Sequence, residues 1–135
     1  MRGEGEDAEK ENIRITSVGT MTFDGSRIEI CYEESMGENG MAFNTLSFDV
    51  GEPDIVTLVR EGAVSCLMTF SENGRYGGLY NMGFAAFDFI VATKNISNKI
   101  KFEKGGVLLL DYNTEIQGVA VQASRFRFDI AVIKG

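Results

Sequence analysis

The segment RIEICYEE, residues 27–34, constrains the fold more than any other feature of the chain. In an extended backbone, successive side chains point to opposite sides. Ile28, Ile30 and Tyr32 then share one face, and Arg27, Glu29, Cys31 and Glu33 the other. The same rhythm recurs. AFNTLSFDV (42–50) places Ala42, Leu46, Phe48 and Val50 on one side. DIVTLVR (54–60) and VSCLMTF (64–70) flank Glu61-Gly62-Ala63, a hairpin with a glycine in its loop. IRITSVGTMTF (13–23), FDFIVATK (87–94), the short KIKFE (99–103), VLLLDYNTEI (107–116) and VAVQASRFRFDIAVIK (119–134) complete the series. No window of useful length sustains a 3.6-residue period, so helices are not the main elements.

The breaks between these runs are short. Asp24-Gly25-Ser26, Gly51-Glu52-Pro53, Glu72-Asn73-Gly74, Asn95–Asn98, Gly105-Gly106 and Gln117-Gly118 read as turns, and SMGENGM (35–41) as a loop. With Pro53 the single proline and 16 glycines, glycine marks most of the turns. Tight turns join antiparallel neighbours. An open sheet exposes two edges, and closure removes them. The expectation is all-β: an antiparallel up-and-down β-barrel of about 8–10 strands, calycin- or lipocalin-like.

The 135 residues suffice for one domain with a full core. Residues 1–12, MRGEGEDAEKEN, set two basic side chains against five acidic ones and carry no large apolar residue after Met1. They read as a disordered acidic tail, with the barrel over 13–135. Net charge is −7, and −4 remains after the tail, which argues against nucleic acid or an anionic membrane as partner. Cys31 and Cys66 lie apart in apolar, alternating segments and are expected as buried free thiols. No run approaches the ~18 apolar residues of a membrane helix, and no basic-then-apolar leader opens the chain. A soluble cytoplasmic protein is expected.

From residue 54 onward, VREGAVSCLMTFSENGRYGGLYNMGFAAFDFIVATK followed by GGVLLLDYNTEI resembles the YwiB-like family of calycin-type β-barrels. Tyr32-Glu33-Glu34, Arg60, Gly62, Phe70, the Gly78-Leu79-Tyr80 step, Thr93 and the Gly-Gly to Asp111-Tyr112 run carry the likeness through their order and spacing. Asn81-Met82-Gly83 departs from the pattern at the rim. The resemblance implies a small, nearly closed bacterial barrel and supplies no biochemical role.

The absence of histidine removes the commonest general base and zinc ligand, and with them a Ser-His-Asp or Cys-His nucleophile. No phosphate-binding glycine loop or calcium loop is present. Asp111 and Glu115 share a strand face but stand ~14 Å apart at ~3.4 Å per residue, beyond a glycosidase pair. The chain is therefore read as a non-enzyme without cofactor or metal. What remains is binding. Tyr32, Arg60 and Tyr112 fall on inward faces, and Gln122 and Ser124 share the face of Phe126, Phe128, Ile130 and Val132. Arg75, Tyr76 and Tyr80 sit in a glycine-softened bend, RYGGLYN, expected at a rim. Tyr32, Arg60, Arg75, Tyr76, Tyr80, Tyr112 and Gln122 are the candidate residues for a small, partly apolar or anionic ligand. Arg60 either clamps an anion or pairs with Glu33, Glu34 or Asp111, and the tyrosines either meet a ligand or fill space. A solid barrel with an apolar outer patch of Leu109, Val119, Val121, Ala131 and Ile133 would instead serve as a protein-interaction module.

Overall fold

The computed structural model describes residues 10–12, 18–35, 37–81, 85–116 and 119–132. Ten strands follow one another: β1 (Lys10–Asn12), β2 (Gly19–Phe23), β3 (Arg27–Ser35), β4 (Met41–Asp49), β5 (Glu52–Gly62), β6 (Ser65–Ser71), β7 (Arg75–Asn81), β8 (Ala86–Asn98), β9 (Gly106–Ile116) and β10 (Val119–Ile130). A 3-10 turn, Gly37–Asn39, is the one helical element among the described residues. β2 to β10 pair antiparallel, each with its neighbour in sequence, and β1 pairs parallel with β10. Alternation produces these strands because only one face of each is buried. The turns hold through local chemistry. Asp24 Oδ1 accepts the backbone N–H groups of Ser26 and Arg27 at 2.9 and 2.8 Å, while Gly25 takes a φ of 104°.

A flat sheet of this size would hold its outer strands ~43 Å apart, at ~4.8 Å per neighbour. β1 ends at Asn12 and β2 begins at Gly19, a separation that an extended chain spans over ~25 Å at most. The sheet must curl, and it forms a half-barrel. Nine antiparallel strands leave β2 and β10 running the same way. A segment that continues into β2 can therefore join β10 only in parallel, as β1 does. Among the described residues β2 and β10 share no register pair. The curl brings distant strands together: Tyr32 of β3 meets Phe128 of β10 edge-on at 6.4 Å between ring centroids, and Phe70 of β6 meets Tyr112 of β9 at 4.9 Å.

Register sorts the inner face into lateral rows. One row runs Phe23, Ile28, Phe48, Val56, Phe70, and the next Met21, Ile30, Leu46, Leu58, Met68. Both are apolar, and their central members are buried. The row beyond them, toward one end of the barrel, is polar.

Several expectations are corrected. Lys10–Asn12, placed in the tail, form β1. Asn95–Asn98 are not a turn but the end of β8, where a bulge between Thr93 and Asn95 absorbs the polar run. Asn98 Nδ2 donates to the Pro53 carbonyl at 3.0 Å, and Asn98 Oδ1 accepts from the Ile100 N–H at 3.1 Å. The chain turns later, within the expected strand 99–103, where Lys101 bridges Gly105 and Glu103 has a φ of 69°. RYGGLYN is strand β7 rather than a bend. Val50 lies exposed in the turn after β4, outside the inner face. Cys31 is exposed on the outer face, while Cys66 is buried, and both are free. The tail before residue 10, residues 13–17, the Met82-Gly83 step and the Gln117-Gly118 turn lie outside the described residues. No helix among the described residues is long and apolar enough to cross a membrane.

Candidate functional site

The polar row crosses seven strands with one residue from each: Gly19, Tyr32, Asn44, Arg60, Cys66, Tyr80 and Phe87. Alternation sends these side chains inward, and hairpin register aligns them at one level. Glu34 stands one inner position further along β3 than Tyr32.

Three of these side chains lock together. Arg60 Nε donates to Asn44 Oδ1 at 2.9 Å, Arg60 Nη2 donates to Glu34 Oε1 at 2.9 Å, and Asn44 Nδ2 donates to the same Glu34 oxygen at 3.0 Å. The Arg60 and Glu34 side chains are 18% and 15% exposed. Charge-assisted bonds of this kind are the strong ones, and a partly dry setting reduces their screening. Burial pushes the Tyr32 phenol up to about 12, with Arg60 pulling it down and Glu34 raising it further. Tyr32 is therefore a neutral donor near neutral pH. Burial also raises the Cys66 thiol, opposed by Arg60, so Cys66 is a poor nucleophile. Tyr80 stacks on Phe87 at 5.2 Å and meets Phe89 edge-on at 6.3 Å.

Among the described residues, the enclosed side-chain nitrogens and oxygens without a partner are Thr93 Oγ1 and Asp111 Oδ1. Arg60 Nη1, Glu34 Oε2 and the Tyr32 hydroxyl also make no hydrogen bond there, yet they are not enclosed. Their side chains are partly buried, and these three atoms keep some contact with solvent.

Of the candidate residues, Tyr32, Arg60 and Tyr80 share the row. The others do not converge on it. Arg75 lies on the outer face, its guanidinium donating to Glu115. Tyr76 is exposed. Tyr112 is buried deeper, between Phe70 and Phe126, whose rings lie at 4.9 and 5.7 Å. Gln122 is exposed near the start of β10. Asn44 and Cys66 join the site without having been singled out for it. Asn44 was visible as the polar member of the Ala42–Leu46 alternation. Of the partners considered for Arg60, Glu34 is the one in contact. Among the described residues no group of Asp, Glu or Cys is arranged to hold a metal ion.

The curled antiparallel sheet with a polar layer at one end defines an all-β protein of calycin-like fold. The chain belongs to the family described as Domain of unknown function (DUF1934), whose model matches residues 2–130. It is similar to the ywiB protein from Bacillus subtilis, whose crystal structure superposes with a TM-score of 0.64 at 20% identity. The match covers 72% of this chain and 65% of that one, so this chain spans less than two thirds of that relative's length. At that identity the likeness carries the fold alone. No curated protein matches the chain.

Proposed function

We propose that this protein is a cytosolic binding barrel without catalytic activity that takes a small, partly apolar molecule at the polar end of its interior. One observation carries the reading. Arg60 is held by Asn44 and Glu34, yet part of its guanidinium and the Tyr32 hydroxyl make no hydrogen bond among the described residues and are not fully enclosed. A few fixed polar groups beside apolar walls are the usual equipment of a ligand site. Nucleic acid and anionic membranes are unsuited to the acidic surface. Native mass spectrometry of protein purified under mild conditions tests the reading. A bound small molecule, lost from the double variant Glu34→Gln/Arg60→Met, is the expected result. Protein that arrives and stays free of any adduct at every stage of purification contradicts it.

A second reading, a protein-interaction module, draws on the outer face of β4 to β7. Phe43, Leu67 and Leu79 are 52%, 48% and 52% exposed there, with Val59 beside Leu67 in register and Phe43 opposite Glu61. This is not the patch expected around Leu109. Leu109 is half-buried beside Arg127, and the side chains of Val119, Val121 and Ile133 lie outside the described residues. Glu61 and Asp88 border the patch, which suits a basic partner. Leu67→Lys/Leu79→Lys would abolish such an association and leave ligand adducts untouched.

A further inference from the structure

We propose that the free edge of the Arg60 guanidinium, with the Tyr32 hydroxyl, binds the carboxylate of a small monoanion that carries a short apolar or aromatic stem. The proposal deepens the binding reading above and rests on it.

The argument begins with the shape of guanidinium. It presents five N–H donors in a plane. Asn44 takes the Nε–H, and Glu34 takes one of the two Nη2–H groups. On the terminal edge, formed by Nη1 and Nη2, the Nη1–H makes no hydrogen bond among the described residues. Two parallel N–H groups at that edge match the two oxygens of a carboxylate. Asn44 and Glu34 fix the plane of the ring of nitrogens, so little rotamer freedom is left to lose on binding. Tyr32 stands in the same row on the far side of Asn44. Its phenol keeps its proton and offers a third donor.

Charge then selects among oxyanions. Arg60 and Glu34 cancel, and among the described residues the row holds no second cation. A monocarboxylate adds one negative charge to a protein already at −7, and a phosphate dianion adds two beside Glu34. The monoanion is the better fit. The row beneath limits the stem. Ile30, Leu46 and Leu58 stand at that level and are buried in the apolar core, which a long chain would have to part to enter. The apolar surface at the level of the site is the stacked pair Tyr80 and Phe87, both partly open.

Titration calorimetry and ligand-observed NMR on the full chain test this with four probes: phenylacetate, phenylacetamide, phenyl phosphate and palmitate. Phenylacetate is expected to bind most tightly. Its affinity should fall tenfold or more in Glu34→Gln/Arg60→Met, a pair chosen because it leaves no unpaired charge behind, and several-fold in Tyr32→Phe. Arg75→Met, altered on the outer face, should bind as the parent does. Unchanged phenylacetate binding in a folded double variant overturns the site. Tighter binding of phenylacetamide or phenyl phosphate, sensitive to the double variant, overturns the carboxylate and keeps the binding barrel. Palmitate binding as tightly as phenylacetate overturns the short stem. If no probe binds, the carboxylate proposal falls, and the native mass spectrum alone decides the parent reading.

Discussion

Thr93 carries a hydroxyl that the core does not use. It lies on the inner face of β8 opposite Tyr112, is buried, and its Oγ1 has no partner among the described residues. A buried hydroxyl left unbonded costs ~1–3 kcal/mol. Thr93→Val keeps the branched shape and removes the polar atom. It should stabilise the fold by ~1 kcal/mol and raise Tm by roughly 3 °C in differential scanning calorimetry; a lower Tm would mean that water serves the hydroxyl. Tyr32 makes a pH-dependent contribution. Its phenol is raised from 10.0 to about 12 in the folded chain. The unfolded chain loses that proton first, so the contribution is whole below pH 10 and disappears as pH rises toward 12. Two pH units correspond to ~3 kcal/mol. Relative to Tyr32→Phe, the parent should therefore lose about that much stability in urea melts as pH rises through this range. The cysteines differ in the same way that their faces differ. Cys31 is exposed and Cys66 is buried with its thiol raised. A thiol reagent at pH 8 should modify one cysteine in the native protein and the second only after denaturation.

Two adjacent glycines in β7 separate what a strand tolerates from what it does not. A Cβ on Gly78 would stand 2.6 Å from the Leu67 carbonyl oxygen and 3.1 Å from the Phe89 ring. A Cβ on Gly77 would meet only the Phe89 carbonyl oxygen, at 3.9 Å. Gly78→Ala must part β7 from β6 or displace a core phenylalanine, and should destabilise by ~1–3 kcal/mol. Gly77→Ala should be neutral or gain up to ~1 kcal/mol by restricting the unfolded chain. Denaturant midpoints of the two variants should move in opposite directions, or only the first should move. These glycines were read as a bend; the close approach of β6 and Phe89 explains Gly78 instead, and no contact requires a glycine at 77. Such approaches join residues distant in sequence, so no local pattern announces them. The strands themselves were legible because burial of one face writes a period of two into the residues. Asn95–Asn98 misled because asparagine and serine favour turns locally, while a bulge can house them within a strand. Arg75 and Tyr76 were grouped by adjacency, but adjacent strand residues point to opposite faces, and Arg75 reaches Glu115 outside. Tyr32 and Arg60 were legible by alternation, whereas Tyr80 was read as part of the rim bend. That they share one level with Asn44 and Cys66 follows from hairpin register, which depends on every turn between them.

At the scale of the molecule, the interior is stratified: apolar rows fill the barrel, and one polar row faces solvent at its end. The curl that builds this interior depends on the strand directions and on one short pairing. β1 covers the backbone of β10 over Ala123–Arg125. Without it, that stretch would present unpaired N–H and C=O groups, a template for another chain. The pairing also holds the entry to β2 near β10, and so keeps Tyr32 of β3 against Phe128. Loss of β1 should act on both. A chain beginning at Ile13 is expected to melt at lower temperature than the full chain and to self-associate as concentration rises, measured by light scattering after size-exclusion chromatography. The same deletion removes the whole acidic run, and charge alone could alter association. A chain beginning at Glu9 separates the causes, because it lacks Glu4, Glu6 and Asp7 but keeps Lys10–Asn12. It should melt and elute as the full chain does. Equal losses in both truncations would place the effect in the acidic run and remove β1 from the account of closure.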